Sequence, residues 1–508
     1  MKSEKRAGIL LSYILIVAEA ISGLLYTVIL LGNLGQSEYG LYKLALSWMS
    51  IISVLDFGLG STITRYVIKY KTEKDRDGER NFLGMAFAVY GILAFVVLLV
   101  GIGMAAVLPA FSKSIDPGQA AKFRAVFMIL VAKTCVILFN HAYSGRFVAY
   151  ERFVLIKSVA ILNIVLRILL VAALLPLMPS AVTVVSVDFL LTLAQLICYM
   201  VASRAYKMER VRLGRWDKSL FAEVFVFTSS VFVASVINQF NGNVDNIVLG
   251  IFATTAAVGL YSSAMQIYTV YCSLSTAIQE VFLPQVSKSV FEKRSDREVT
   301  MSIIKPSRMQ MIVLLLALTG FILFGYEFFE LWIGDSYSAE MLRQAYTVGC
   351  IVMTSATWQL FQNSATNILK AKNLLRGKIL ITGASTVANF LVTVALVPRF
   401  GMIGAAIGTA FSMIFGYGIA TNIYYSTVVK LDLRLYYTKT FSKIWYAVPL
   451  AFAAGIGIRF ISLDGLVGFI VKICLYMLVY IVSVGLLGMN KEERKFFSKI
   501  TDRVIRRK

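Results

Sequence analysis

A small set of ionisable residues lies inside long apolar stretches of this 508-residue chain: Lys43, Lys133, Arg167 and Lys472, with Glu19, Asp56, Asp188, Glu223 and Glu280. An ionised side chain at the centre of a bilayer costs about 2.5 to 3.5 kcal/mol on insertion scales, so such residues face a partner, a wet cavity or the headgroups. Depth sorts them. Glu223 and Glu280 fall at the ends of their runs, whereas Lys43 and Lys472 lie toward the outer ends, where a long stem can carry the ammonium to the headgroups. Glu19, Lys133 and Arg167 fall near the middle, where snorkelling is hardest. Two chemistries stay open for them. One is ion pairing between helices, such as Glu19 with one of the two cations. The other is positive potential in a polar cleft, where Arg holds phosphate oxygens bidentately and Lys offers a point charge. Lys43 is a further candidate cation. Asp56, in Asp56-Phe57-Gly58-Leu59-Gly60, sits where two glycines permit a bend. It is expected either to bond Arg65 or a nearby backbone group, or to act in gating. Asp188 is a candidate cation site or a partner for Lys43. With Glu19 and Asp56 it completes the candidate ion-coupling carboxylates, and nothing chooses between protons and sodium.

These residues must be positioned by membrane helices. Apolar residues make up 58% of the chain, and runs long enough to cross a bilayer as a helix recur along it. They fall at 8–31, 40–63, 82–108, 123–143, 154–175, 181–202, 220–242, 256–283, 309–326, 344–367, 379–397, 402–424, 444–461 and 465–488. That is about fourteen spans by the length criterion, with about twelve the nearest alternative. Of the 50 Lys and Arg residues, roughly forty lie in alternate gaps and at the two ends, which places both termini in the cytoplasm. Basic loops beside anionic lipid account for the net charge of +22 without nucleic acid. The first apolar run is too long for a signal peptide and lacks a cleavage pattern, so it reads as a retained span. The 5 cysteines all fall inside runs, with no metal spacing and no disulfide framework. With 1 histidine, His141, zinc sites and histidine triads have little to work with.

An internal repeat organises the spans. Gly40, Leu41, Tyr42 and Ala45 before and within the second run match Gly259, Leu260, Tyr261 and Ala264 at the eighth, all at one offset. Pro176 and Pro398 match at a nearby one. An offset of six helices keeps both copies in the same orientation, so the repeats are parallel. The expected fold is all-α and integral to the membrane: two parallel six-helix repeats around a central cleft, plus two C-terminal helices. Its parts are an N-terminal lobe at 1–202, a cytoplasmic linker at 203–219, a second lobe at 220–424, two further spans at 425–488 and a basic tail at 489–508.

The stretch Leu34-Gly35 through Tyr39-Gly40-Leu41-Tyr42, Asp56-x-Gly58 and Arg65 resembles the N-terminal signature of Wzx-type polysaccharide flippases, of the multidrug, oligosaccharidyl-lipid and polysaccharide exporter superfamily. Asp245 to Gly250 with Val258-Gly259-Leu260-Tyr261 is similar to the start of that family's second half. Asn367 through Lys372, Asn389 and Val397 through Ala406 resemble its eleventh-to-twelfth helix segment. The resemblance implies no enzyme. It implies a flippase carrying undecaprenyl-pyrophosphate-linked oligosaccharide to the outer leaflet of a bacterial cytoplasmic membrane by alternating access. Lys133 and Arg167 would then meet the pyrophosphate. The polar run Asn238, Gln239, Asn241, Asp245 would meet the glycan, with Phe240 or Tyr261 stacking on sugar faces, unless that run is an ordinary solvated outer turn. The partners implied are the lipid-linked oligosaccharide, membrane lipids and polysaccharide polymerase machinery. The transporter would be monomeric, with no cofactor beyond a coupling proton or sodium ion. The rivals are a lipid II-like or sporulation-associated flippase and a multidrug or cation antiporter of the same superfamily. Short outer loops argue against a membrane glycosyltransferase.

Overall fold

The computed structural model describes residues 2–490 apart from 57, 210, 213, 215, 217 and 293, and the side chains of these except in 2–10, 13, 218–231 and 234. The basic tail beyond Asn490, parts of the expected linker and the Glu223 side chain lie outside the described residues. In chain order the helices are α1 (Lys2–Ile52), α2 (Leu59–Glu73), α3 (Arg76–Phe111), α4 (Ala120–Ala149), α5 (Phe153–Leu174), α6 (Ala181–Ala205), α7 (Lys218–Phe252) and α8 (Thr255–Phe291). They continue as α9 (Asp296–Ile333), α10 (Ala339–Phe361), α11 (Asn363–Ala371), α12 (Leu375–Phe411), α13 (Thr421–Thr427), α14 (Leu433–Phe441), α15 (Ile444–Arg459) and α16 (Gly465–Ser483). The fold is all-helical and integral to the membrane, because only structures that satisfy every backbone polar group internally survive in hydrocarbon.

Among the described residues, 9 segments are long and apolar enough to cross a bilayer. The first, Ile14–Glu73, has 60 residues. Drawn straight it would be about 90 Å long, some three times the hydrocarbon thickness. Gly35 breaks it with φ 73°, a left-handed conformation that side chains with a Cβ rarely adopt. Gly401, at φ 55°, breaks α12 in the same way.

Two compact units are found, 1–263 with 397–405 and 264–396 with 406–508. The first takes in α7 and the head of α8 as well as the residues expected for the N-terminal lobe. Within it α4 packs on α3 and α6, and α1 on α5 and α7. The two copies of the repeated Gly-Leu-Tyr motif meet face to face in this unit. A Cβ on Gly40 would overlap the Thr255 carbonyl, and one on Gly259 would stand 3.2 Å from the Gly40 Cα. Tyr39, Tyr42 and Tyr261 are fully buried around the crossing, and Ser37 and Thr255 share a hydrogen bond of 3.0 Å. The motif is therefore a close helix contact in which glycine lets two backbones touch.

The second unit is built on α9, which packs against α10, α14, α15 and α16. Arg308 on α9 is fully buried. Its guanidinium donates to the carbonyls of Lys439, Thr440 and Ser442 at 2.9, 3.0 and 2.7 Å and to that of Gly488 at 3.0 Å. It thus holds the end of α14 and the turn that follows α16 against α9. Lys472 on α16 does not reach toward headgroups as expected: it is 7% exposed, and its ammonium donates to Glu327 on α9 at 3.0 and 3.3 Å. A carboxylate within hydrogen-bond reach on the neighbouring helix satisfies the ammonium where it lies.

Candidate functional site

Among the described residues, three charged side chains from different membrane helices of the first unit converge. Asp188, near the start of α6, is 4% exposed. Its carboxylate accepts two hydrogen bonds from Arg167 on α5, from Nε at 2.7 Å and from Nη2 at 2.8 Å. Lys133 on α4 donates to the same carboxylate at 3.3 Å. The bidentate fork is the strongest geometry open to an Arg–carboxylate pair. Two residues of α1 complete the surround. The Tyr42 hydroxyl accepts from Arg167 Nη2 at 3.1 Å, and the Tyr26 ring lies under the guanidinium with Cζ 4.2 Å from its centroid.

The helices explain this convergence. α4 packs on α6 through much of its length, α5 lies between α6 and α1, and Asp188 faces inward with Val184, Val185 and Val187 buried beside it. Two cations against one anion leave the cluster positive. The side chains of Arg167 and Lys133 remain 37% and 21% exposed while Asp188 is 2% exposed, so the excess charge sits on the open side. Arg has five N–H donors and Lys three. The described bonds use Nε and Nη2 of the first and one proton of the second, which leaves the Nη1 edge and most of the ammonium for an incoming anion.

The expected pairing of Glu19 with one of these cations is not what forms. Glu19 is exposed, and both cations go to Asp188. Asp188 in turn is not the partner of Lys43, whose ammonium lies over the Tyr39 ring, 5.3 Å from its centroid. Residue type and position along each run were legible, but which face meets which neighbour was not.

Asp56 does not bond Arg65, which lies against the Tyr66 ring instead. Its Oδ2 is 3.1 Å from Nδ1 of His141 on α4. Sequence reasoning weighed His141 only as a zinc ligand or triad member. The available signal was that positions 56 and 141 lie at similar depths in two parallel runs.

The polar run is not a solvated turn, because α7 continues through it to Phe252. Asn238 is exposed and Gln239 and Asn241 are half-buried. Asp245 is 6% exposed and accepts a hydrogen bond from the Tyr261 hydroxyl. Asn246 joins Ser47 of α1 and Ser262 of α8, each at 3.1 Å. The C-terminal part of the run therefore packs helices. Tyr261, at 1% exposure, has no ring face left for a sugar, whereas Phe240 is 40% exposed.

Comparison with known proteins agrees with this architecture. Residues 6–290 match the family described as polysaccharide biosynthesis protein. A protein named probable low-salt glycan biosynthesis flippase Agl15, from Haloferax volcanii, is 24% identical over 445 residues, covering 78% of this chain and 87% of that one. Probable flippase AglR of the same organism is 29% identical over 180 residues, 34% of this chain and 35% of that one. Among solved structures, the lipid II flippase MurJ in an inward closed conformation superposes with a TM-score of 0.76 at 13% identity, covering 94% of this chain and 98% of that one. An inward-facing multidrug resistance MATE family transporter gives 0.67 at 14% identity, with 81% and 96% covered. The chain belongs to the polysaccharide biosynthesis protein family and has the fold of the multidrug, oligosaccharidyl-lipid and polysaccharide exporter superfamily.

Proposed function

We propose that this protein is a lipid-linked glycan flippase, and more finely that it moves undecaprenyl-pyrophosphate-linked oligosaccharide from the inner to the outer leaflet of a bacterial cytoplasmic membrane. The observation that carries the reading is the net-positive cluster of Arg167, Lys133 and Asp188 within the membrane helices. A lipid-linked sugar has an anionic, polar head that hydrocarbon rejects and an apolar tail that need not leave the bilayer. Buried Asp188 keeps two cations together at a depth neither could occupy alone. Their spare donors suit a pyrophosphate: the Nη1 edge of Arg167 for paired oxygens, the Lys133 ammonium for a point contact. Lys43 would extend the positive path along α1. The exposed Asn238, with Gln239 and Asn241, would bond sugar hydroxyls, and Phe240 would stack on a sugar face. Alternating exposure of the site to the two leaflets would complete transport. Glycosyltransferases would supply the cargo and a polymerase would consume it, with both termini on the supply side. The two cations also speak against expulsion of organic cations, the rival activity on this fold.

The test uses proteoliposomes carrying a fluorescent polyprenyl-pyrophosphoryl oligosaccharide whose outer-leaflet fraction is read by chemical quenching. Lys133→Gln with Arg167→Gln abolishes flipping at normal protein level. Lys133→Gln alone, which leaves the Arg167–Asp188 fork intact, lowers the rate and weakens binding of the probe. Undiminished flipping in the double variant overturns the assignment.

A further inference from the structure

The second membrane run is not one helix. After Ile52 the chain tightens into a 3-10 turn, Ser53–Asp56, and resumes as α2 at Leu59. Between them Gly58 takes a left-handed conformation, φ 66°, which only glycine adopts readily. The far side of this break is fixed. A Cβ on Gly145 of α4 would stand 3.3 Å from the Ile63 side chain and would overlap the Gly60 carbonyl, and Thr64 donates to the Gly145 carbonyl at 3.0 Å. Asp56, the last residue of the turn, is held across the break by the His141 imidazole at 3.1 Å.

We infer that Asp56 and His141 form a proton-binding site that fastens the broken second membrane helix to α4. Nδ1 faces the carboxylate, so Nδ1 carries the hydrogen of that bond. Nε2 is then the atom that gains and loses a proton. Uptake gives an imidazolium–carboxylate pair, and release gives a neutral ring that keeps the same hydrogen bond in weaker form. The His141 side chain is 47% exposed and that of Asp56 20%, so the ring edge opposite the carboxylate is open to a proton donor.

Among the described residues, the charged groups on the elements packed around the pair have partners of their own. On α3 the Tyr90 hydroxyl lies beside Asp56. Along α7 no titratable side chain occurs from Phe232 to Val244, and Asp245 is taken by Tyr261. On α4, Lys133 is bonded to Asp188 and Arg146 to the Glu209 carbonyl. Arg65 of α2 lies on Tyr66, and Lys43 of α1 on Tyr39. The site is separate from the Arg167 cluster. That its proton drives the transport cycle rests on the flippase reading, because a joint fastened in one protonation state and loosened in the other is a means of coupling.

His141 is the only histidine in the chain, so a protein purified without a histidine tag and labelled with ¹⁵N-imidazole histidine gives one ring spectrum in lipid nanodiscs. Nδ1 should be protonated at every pH from about 5 to 9, with a single titration at Nε2. In Asp56→Ala the neutral ring should revert to the Nε2–H tautomer that free imidazole prefers. A wild-type ring already in that tautomer overturns the site without recourse to any variant. For the coupling, wild-type flipping of the fluorescent probe should change with pH across the Nε2 titration, and His141→Gln should lose that dependence. Identical pH profiles overturn the coupling. A wild type that does not flip the probe overturns the transport reading, and the ring spectrum still decides the proton site.

Discussion

Asp188 is the residue on which the charged cluster stands, and its removal separates mutual support from mere proximity. Asp188→Asn keeps the shape of the side chain but takes away the one negative charge that accepts two bonds from Arg167 and one from Lys133. Breaking a buried pair by removing one partner costs about 3 to 5 kcal/mol, because an uncompensated charge is left behind. The Arg167 side chain is 37% exposed and keeps Tyr42 and the Tyr26 ring as neighbours, so the lower end, about 3 kcal/mol, is expected. Arg167→Gln should cost a similar amount, since it leaves Asp188 with Lys133 alone. The double variant removes both charges and should be less destabilised than the sum by about 2 kcal/mol, within the range found for directly bonded residues. That is roughly thirtyfold in the folding equilibrium. The assay is reversible unfolding of the four proteins in mixed micelles, followed by intrinsic tryptophan fluorescence. Additivity to within about 0.5 kcal/mol would show that the fork contributes no coupling and refute the reasoning.

Further outcomes concern packing and the second unit. Gly40→Ala forces a methyl into the Thr255 carbonyl and should cost about 1 to 3 kcal/mol, as overpacking does; Gly32→Ala, where nothing lies within 4 Å of the added atom, should be neutral by the same unfolding assay. Glu327→Gln strands Lys472, whose side chain is 8% exposed, whereas Lys472→Met leaves Glu327 at 27% exposure, so the first variant should be the less stable; equal losses would mean the ammonium is solvated. Arg308→Lys should lower the midpoint of unfolding even though charge is kept, because an ammonium cannot match a planar fork that reaches four carbonyls; an unchanged midpoint would argue that charge alone holds α14 and the turn that follows α16.

The all-helical membrane fold was legible because the bilayer imposes a simple rule: a run of about twenty apolar residues per crossing. The repeated Gly-Leu-Tyr was legible as a motif and turned out to be a helix crossing, since Gly40 and Gly259 meet each other. What could not be read was lateral order. Lys133, Arg167 and Asp188 were each picked out by type and depth, but their union depends on which helix faces are neighbours. The same gap hid the partners of Lys472 and Asp56. The run from Asn238 to Asp245 could be read as glycan-facing or as a solvated turn because amides and carboxylates suit both, yet the helix runs on and spends Asp245 on packing. Arg308 was counted among the basic residues of a cytoplasmic gap, where nothing marks one arginine of many as buried.

The Arg308 clamp also bears on how the protein is made. Its four carbonyl acceptors belong to residues synthesised 131 to 180 positions later. While α9 enters the bilayer none of them exists, so the guanidinium must wait in the headgroup layer, solvated by water and phosphate. Three acceptors exist once the chain has passed Ser442, and the set of four is complete only at Gly488. The arginine thus ties the seating of α9 to stretches of chain made long after it.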